Sequence, residues 1–330
     1  MRPGDSNSCS CGGPSETRPG VRPPLVEIAS PRRRASYLSV MQGRCFWPRS
    51  QSRRSTVLLV LSLLLVVPAV FVALGAASSA GTASTGIVRE GPRRITFVNH
   101  LDQTIWVAAS PGNAPARMAV TGWKLPAGQQ VTVVVPNHWN GRFWGRTGCH
   151  FDTAGKGACQ TGDCNRRFQC EGFGAIPATL AEYNLDSWDN LDFYDVSMVD
   201  GSNLPMYINR FGGRGKDAIS ADGCAASGCT KAVICPPVLQ VRAGGIVVGC
   251  LSACARFGTD QYCCRGKWSS ASTCNPKLWP VDYAAVFKRA EPFAYSYAYD
   301  DATSVFTCYG DCNYQITFGL TPVNAGASDS

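Results

Sequence analysis

The sequence predicts a mainly β fold of the β-sandwich type, and three observations carry this prediction. Short segments rich in β-branched and aromatic residues recur after residue 93, and clusters of turn residues separate them. The chain contains 34 Gly and 21 Pro, as expected where many turns join short strands. Only the segments 178–185 and 280–290 have a pattern compatible with a helix. Many short strands and few helices together indicate a sandwich.

Six segments carry the strand pattern. Each either alternates between apolar and polar residues or runs apolar with β-branched side chains, and turn residues flank it. In chain order they are RITFVNH (94–100), TIWVAAS (104–110), QVTVVVPN (130–137), FYDVSMVDG (193–201), MYINRFG (206–212) and YQITFGL (314–320).

Cysteine usage indicates an oxidised domain. Fourteen of the 17 cysteines lie between Cys149 and Cys312, and the other three lie in the first 45 residues. An even set concentrated in one region indicates disulfides. A structural zinc site needs paired Cys or Cys/His spacing, which the three histidines do not supply. We therefore expect no metal and no cofactor, and we expect surface or hydrogen-bonded structural positions for His100, His138 and His150.

The formal net charge of +8 belongs mainly to the N-terminal segment. Residues 1–54 hold 10 Arg and 3 acidic residues, whereas residues 55–330 hold 21 basic and 20 acidic residues. The second part is nearly neutral, which argues against nucleic acid as a partner. Residues 1–55 are also rich in Pro, Gly and Ser, so we expect a basic, disordered leader there.

The segment 56–77, TVLLVLSLLLVVPAVFVALGAA, has 22 residues without a charge and is long enough to span a bilayer. Its length favours an uncleaved signal anchor, whereas Pro68 and the small residues after it favour a cleaved signal peptide. A start at Met41 would give a leader of ordinary length. In both interpretations the arginines before the segment keep the N-terminus cytoplasmic. The cysteine-rich part would then be extracellular, either secreted or single-pass and membrane-anchored through residues 56–77, with residues 78–92 as a linker.

The segment GKGACQTGDCNRRFQC (155–170) places three cysteines among Gly, Asp and Asn without any periodicity. Its order closely resembles the signature of the thaumatin-like family. Further segments follow in the order found in that family: ITFVNHLDQTIWVAAS (95–110), FWGRTGCHFD (143–152), TLAEYNL (179–185), LDFYDVSMVDGSNLPM (191–206), YCC (262–264) and NYQITFG (313–319). The resemblance covers about residues 95–320.

The resemblance implies a more detailed architecture. A thaumatin-like domain over residues 93–322 would contain a β-sandwich of two sheets, a small disulfide-held loop at 147–177 and a disulfide-rich loop domain at 223–292. We expect this domain to be a monomer.

The resemblance also implies how the cysteines pair. Two family cysteines that form one bridge fall on Leu101 and Gly319 here, so that bridge is lost. Another family cysteine falls on Glu291, while Cys312 is additional, and we expect a rewired bridge from Cys229 to Cys312. The expected pairs are Cys149–Cys159, Cys164–Cys170, Cys224–Cys308, Cys229–Cys312, Cys235–Cys250, Cys254–Cys263 and Cys264–Cys274.

In the family, acidic residues line a cleft that binds β-1,3-glucan in many members and hydrolyses it in some. The matching positions here are Glu182, Asp192, Asp195 and Asp300. Hydrolysis needs one protonated carboxyl and one carboxylate, and we assign these roles to Glu182 and Asp195 respectively. Ala175 stands where the family usually has an arginine, so we expect the cleft to lack its cation.

Aromatic residues are frequent in the domain, and Trp139, Trp144, Trp188, Phe193, Tyr283, Phe293, Tyr295 and Tyr297 are among them. Sugar rings can stack on such side chains, although filling of the core is the favoured interpretation for most of them.

The resemblance therefore predicts a secreted or surface-anchored defence protein that binds β-1,3-glucan or fungal cell-wall polysaccharide with little or no turnover. One alternative is an endo-β-1,3-glucanase that uses Glu182 and Asp195. Another is an enzyme inhibitor or a receptor-like surface protein.

Overall fold

The computed structural model describes residues 91–113, 115–215 and 230–320. Two sheets with four and six strands form the body of the domain, and two hairpins lie beside them. In chain order the strands are β1 (Arg93–Asn99), β2 (Ile105–Pro111), β3 (Gly122–Leu125), β4 (Gln130–Val135), β5 (Asn140–Arg146), β6 (His150–Phe151), β7 (Gly157–Ala158), β8 (Leu180–Asn184), β9 (Leu191–Ser197), β10 (Met206–Phe211), β11 (Gln240–Ala243), β12 (Ile246–Cys250), β13 (Phe306–Tyr309) and β14 (Asn313–Phe318).

The smaller sheet has the order β10-β14-β1-β4, and the larger sheet has the order β13-β9-β8-β5-β2-β3. The first and last strands, β1 and β14, are parallel neighbours, and Ile95 is the register partner of Tyr314. The other neighbours within both sheets run antiparallel.

The main core lies between the two sheets. In β1 the side chains of Ile95 and Phe97 are buried, whereas Arg94 is exposed, as alternation in a half-buried strand requires. Phe97 contacts Phe143 of the larger sheet with ring centroids 5.1 Å apart. These contacts confirm the predicted mainly β sandwich.

Helices are few and short. They are α1 (Ala253–Phe257), α2 (Ala284–Ala290) and α3 (Asp301–Ser304), with single 3₁₀ turns at Trp188–Asn190, Pro237–Leu239, Gly266–Trp268 and Pro276–Leu278. The helix-compatible segment 280–290 contains α2, but the segment 178–185 forms strand β8 instead. Strand β8 is paired on both edges, with β5 and β9, and this pairing outweighs the local helix preference.

The described residues contain six disulfides, and five of them are pairs that the resemblance implied. These five are Cys149–Cys159, Cys164–Cys170, Cys235–Cys250, Cys254–Cys263 and Cys264–Cys274.

The sixth disulfide joins Cys308 to Cys312, so the expected pairs Cys224–Cys308 and Cys229–Cys312 are wrong. The chain turns at Gly310, whose φ of 89° few other residues adopt, and returns as β14. The turn brings the two Cα atoms to 6.2 Å, within reach of a disulfide. Cys224 and Cys229 themselves lie outside the described residues.

The ends of β1 and β14 meet where the family bridge is lost. The backbone N–H of His100 donates to the carbonyl of Phe318 at 2.9 Å, which joins the chain before Leu101 to the chain before Gly319. Backbone hydrogen bonding therefore connects the two strand ends that a disulfide would otherwise tie.

The predicted leader (1–55), the apolar segment (56–77) and most of the linker (78–92) lie outside the described residues. Within the described ranges, every helix is too short or too polar to cross a bilayer.

Candidate functional site

The candidate site lies on the face of the larger sheet that points away from the main core. Three strands contribute one residue each to a single row across the sheet, because Arg142 on β5 is the register partner of Glu182 on β8, and Glu182 is the partner of Asp195 on β9. Directly opposite residues have Cβ atoms about 5 Å apart, so these side chains are neighbours. The strand register thus assembles one cation and two carboxyl groups.

Arg142 is the centre of the charged group. Its Nη2 lies 3.0 Å from Oε1 of Glu182, and its Nη1 lies 3.4 Å from Oδ2 of Asp200. The guanidinium carbon lies 4.5 Å from the centroid of the Phe173 ring. The Glu182 side chain is 14% exposed and that of Asp200 is 29% exposed, so solvent reaches both carboxylates.

Asp195 lies under this group and is 1% exposed. Neither of its carboxyl oxygens has a hydrogen-bond partner among the residues that the structure describes. Burial raises the pKa of Asp195 well above its usual value, the charge of Glu182 raises it further, and Arg142 opposes the shift only partly. We therefore expect a neutral Asp195 beside an ionised Glu182.

A third acidic residue approaches Asp195 from α3. The charge of Asp301 also contributes to the raised pKa of Asp195, and Asp301 accepts a hydrogen bond of 2.8 Å from the hydroxyl of Tyr295. The exposed Asp301 thus extends the acidic surface toward the loops after α2.

Asp192 does not belong to the site, which corrects the expectation from the sequence. It is fully buried and receives bonds from Arg93 Nε at 2.7 Å and Nη2 at 2.9 Å. The Tyr314 hydroxyl and the Asp186 backbone N–H also donate to it, at 2.7 and 2.8 Å. Asp192 lies three residues from Asp195 on one strand, so the two side chains point to opposite faces.

The carboxylate of Asp300 also has a structural role. It accepts bonds from the backbone N–H and hydroxyl of Ser296 at 3.0 and 2.8 Å, and it lies 2.9 Å from Nζ of Lys288. These contacts hold the loop between α2 and α3. Its neighbour Asp301 is the residue that faces Asp195.

The expectation that the cleft lacks a cation was also wrong. Ala175 lies in the loop before β8, and Arg142 on β5 supplies the positive charge instead. Sequence reasoning missed Arg142, Asp200 and Phe173. Two of the segments that carried the resemblance run beside or through these positions, since Arg142 immediately precedes FWGRTGCHFD and Asp200 lies in LDFYDVSMVDGSNLPM.

The surroundings of the two carboxyl groups differ from those expected for an acid at Glu182 and a base at Asp195. Glu182 is an ion-paired carboxylate, whereas Asp195 is the group that burial keeps neutral. A general acid must reach the oxygen that it protonates, and Asp195 is too deeply buried to contact a substrate directly.

These features define the class of protein: a disulfide-stabilised β-sandwich with an acidic, arginine-centred cleft. The model of the Thaumatin family matches residues 99–320, so the chain belongs to that family.

The chain matches its relatives over most of their lengths. "Pathogenesis-related thaumatin-like protein 3.5" of Cryptomeria japonica is 44% identical over 71% of this chain and 92% of its own. "Pathogenesis-related protein 5" of Arabidopsis thaliana is 45% identical over 68% of this chain and 88% of its own. "Glucan endo-1,3-beta-glucosidase" of Prunus avium is 43% identical over 68% of this chain and 89% of its own. The chain is therefore similar both to defence proteins and to a protein named for glucan hydrolysis.

Proposed function

We propose that this protein is an extracellular defence protein that binds β-1,3-glucan or a related fungal wall polysaccharide at the Arg142 cleft without turnover. The observation that carries the proposal is the row of Arg142, Glu182 and Asp195, flanked by Asp200. The relatives named for pathogenesis and for 1,3-β-glucan support the ligand class.

The cleft has hydrogen-bonding capacity that a sugar can use. Glu182 and Asp200 offer partly exposed carboxylate oxygens to hydroxyl groups. The ring of Phe173 is exposed beside the guanidinium and offers a flat apolar face to the C–H surface of a sugar.

The same geometry argues for binding rather than hydrolysis. Hydrolysis of a glycosidic bond requires an accessible acid and an accessible base or nucleophile on the two sides of that bond. Of the two carboxyl groups assigned to catalysis, Glu182 is held as a carboxylate by Arg142, and Asp195 is buried. Neither is placed to protonate a leaving group.

An endo-β-1,3-glucanase is the second candidate. The raised pKa of Asp195 next to the carboxylate of Glu182 is an acid and base pair of the kind that glycosidases use. The relative from Prunus avium carries that activity in its name. This candidate requires Asp195 to become exposed when substrate binds.

The location outside the cytosol is part of the proposal. Disulfides of this density persist in oxidising compartments. Anchoring through residues 56–77 and release by cleavage are both compatible with a cleft that faces the cell exterior.

The test compares wild type with Arg142→Ala, after secretory expression of the full chain, for retention on insoluble β-1,3-glucan. The matched control is Arg94→Ala, which removes an exposed arginine from the other sheet. Loss of a charge-assisted bond worth about 1.5–3 kcal/mol predicts a loss of affinity of about ten- to hundredfold. Equal retention by wild type and Arg142→Ala would sink the proposal. Release of reducing sugar that Glu182→Gln abolishes would favour the glucanase.

A further inference from the structure

Three aromatic rings form a cluster on the surface of the disulfide-rich loop domain. Phe257 lies 5.3 Å from Tyr262 and 5.5 Å from Tyr283, measured between ring centroids, and the two tyrosines are 5.9 Å apart. The ring of Phe257 is tilted by 31° to each tyrosine ring. We call Phe257, Tyr262 and Tyr283 the aromatic triad.

Tyr262 and Tyr283 pack with one side against the apolar core of the loop domain, and Phe257 lies over them at the surface. Phe257 is 38% exposed, and both tyrosines are partly exposed. The buried Trp279 supports Tyr262 from below in an edge-to-face contact of 5.2 Å. The rings therefore form a surface layer over a packed base.

Local structure holds the triad in place. Phe257 ends α1, which Ser252 caps by accepting from Ala255 N at 3.1 Å and which Gly258 terminates at a φ of 66°. The disulfide Cys254–Cys263 ties α1 to the residue that follows Tyr262. Such a platform loses little conformational freedom when a ligand binds.

A chain of ring contacts connects the triad with the acidic cleft. Trp279 contacts Tyr262 on one side and Tyr297 on the other, the latter at 5.9 Å edge to face. Tyr297 lies near Asp301, since the charges of Asp300 and Asp301, together with burial as the main cause, raise the pKa of its hydroxyl. Asp301 in turn approaches Asp195. The contacts of Trp279 and Tyr297 therefore lead from the triad to the side of the cleft.

We propose that the aromatic triad stacks sugar rings of a glucan chain whose other part occupies the Arg142 cleft, and that it gives the protein its preference for polymeric over short β-1,3-glucan. This inference rests on the proposed function. Sugar rings present apolar C–H faces to aromatic rings, and their hydroxyl groups need polar partners at the edge of the platform. Thr259, Asp260 and Asp282 are exposed and each lies within two residues of a member of the triad in the sequence, so we assign that edge to them.

The experiment measures the affinity of the full chain for a soluble polymeric β-1,3-glucan and for a β-1,3-linked trisaccharide. Phe257→Ala is the test variant, and Phe257→Tyr should preserve binding. Leu278→Ala is the matched control, because Leu278 is a 65% exposed apolar residue of the same loop domain outside the triad. We expect Phe257→Ala to weaken polymer binding about three- to tenfold and to leave trisaccharide binding unchanged. The loss of two ring contacts should lower the thermal midpoint by only a few degrees, so that the variant stays folded in the assay.

Equal polymer binding by wild type and Phe257→Ala would overturn the inference. An equal loss of affinity for polymer and trisaccharide would also overturn it, because the effect would then be structural. A loss of polymer affinity that Leu278→Ala reproduces would overturn it as well, because the effect would then be nonspecific. A triad that binds a protein instead of a sugar would also leave polymer affinity unchanged. Arg142→Ala separates the two proposals. If Arg142→Ala weakens binding and Phe257→Ala does not, the proposal of the cleft is supported and that of the triad is refuted. If only Phe257→Ala weakens binding, the proposal of the cleft is refuted.

Discussion

We predict that Glu291, which by the family resemblance stands at a cysteine position, makes the stability of this protein depend on pH. It follows α2, is 4% exposed, and among the described residues it accepts a hydrogen bond from Met206 N at 3.3 Å. Burial raises the pKa of this carboxyl from its usual value near 4.5 to about 8, and the Met206 N–H opposes the shift only weakly. A shift of this size corresponds to at most about 5 kcal/mol of folding free energy, at 1.36 kcal/mol per pH unit.

The sign follows from which state holds the proton. Below pH 4.5 both the folded and the unfolded chain are protonated at Glu291, and the stability is fully present. Between about pH 4.5 and 8 the unfolded chain releases the proton and the folded chain keeps it, so stability falls by up to about 1.4 kcal/mol per pH unit. Above pH 8 the loss is complete.

Glu291→Gln removes this effect, because the amide is neutral at every pH and has nearly the same shape. We expect the free energies of unfolding of variant and wild type to agree near pH 4.5, and the variant to be more stable by a few kcal/mol at pH 8.5. Denaturant titrations with intact disulfides, at pH 4.5 to 8.5, measure the difference. The control is Glu171→Gln, at an exposed carboxylate. Parallel pH profiles for wild type and Glu291→Gln would refute the reasoning.

Three other predictions follow from the contacts. Asp192→Asn leaves Arg93 buried without its counter-charge and should lower the free energy of unfolding by about 3–5 kcal/mol, seen as a lower denaturant midpoint. Glucan retention of the folded fraction should stay unchanged, and a loss of retention without a loss of stability would contradict this. Asp195→Asn replaces a neutral group by a neutral group, so retention on glucan at pH 5 should stay within about twofold of wild type, and a tenfold loss would mean that Asp195 acts as a carboxylate. Joint replacement of Cys308 and Cys312 by Ser should cost about 2 kcal/mol by loop entropy, and peptide mapping of the unreduced wild type should yield these two cysteines linked to each other.

The strands that alternate could be predicted from the sequence. β1, β4 and β14 each have one face on the core and one face more open, so the period of two is visible in the residues themselves. Strand β5 was missed because six of its seven residues are buried, which removes the alternation. Arg142 lies on this strand, so the cation of the site was hidden together with its strand.

Only some of the site residues could be predicted, because strand register and the sheet face to which each side chain points decide which residues meet. Glu182 and Asp195 were found through the family resemblance, but their partnership with Arg142 depends on how β5, β8 and β9 align, which local sequence does not specify. One signal was available and unused. Asp195 lies on the predicted strand 193–201 and Asp192 directly before it, and residues an odd number of positions apart on one strand point to opposite faces.

The parallel pairing of β1 with β14 has a consequence for how the chain is made. The six described disulfides link residues only 4 to 15 positions apart, so each can close as soon as its own segment has emerged into an oxidising compartment. The middle of the smaller sheet, in contrast, needs Tyr314 beside Ile95. A nascent chain therefore carries closed covalent loops around an incomplete sheet, with one edge of β1 unpaired until β14 has emerged. The arrival of β14 is then the event that completes the sheet, and a chain truncated before β14 leaves that edge open to aggregation.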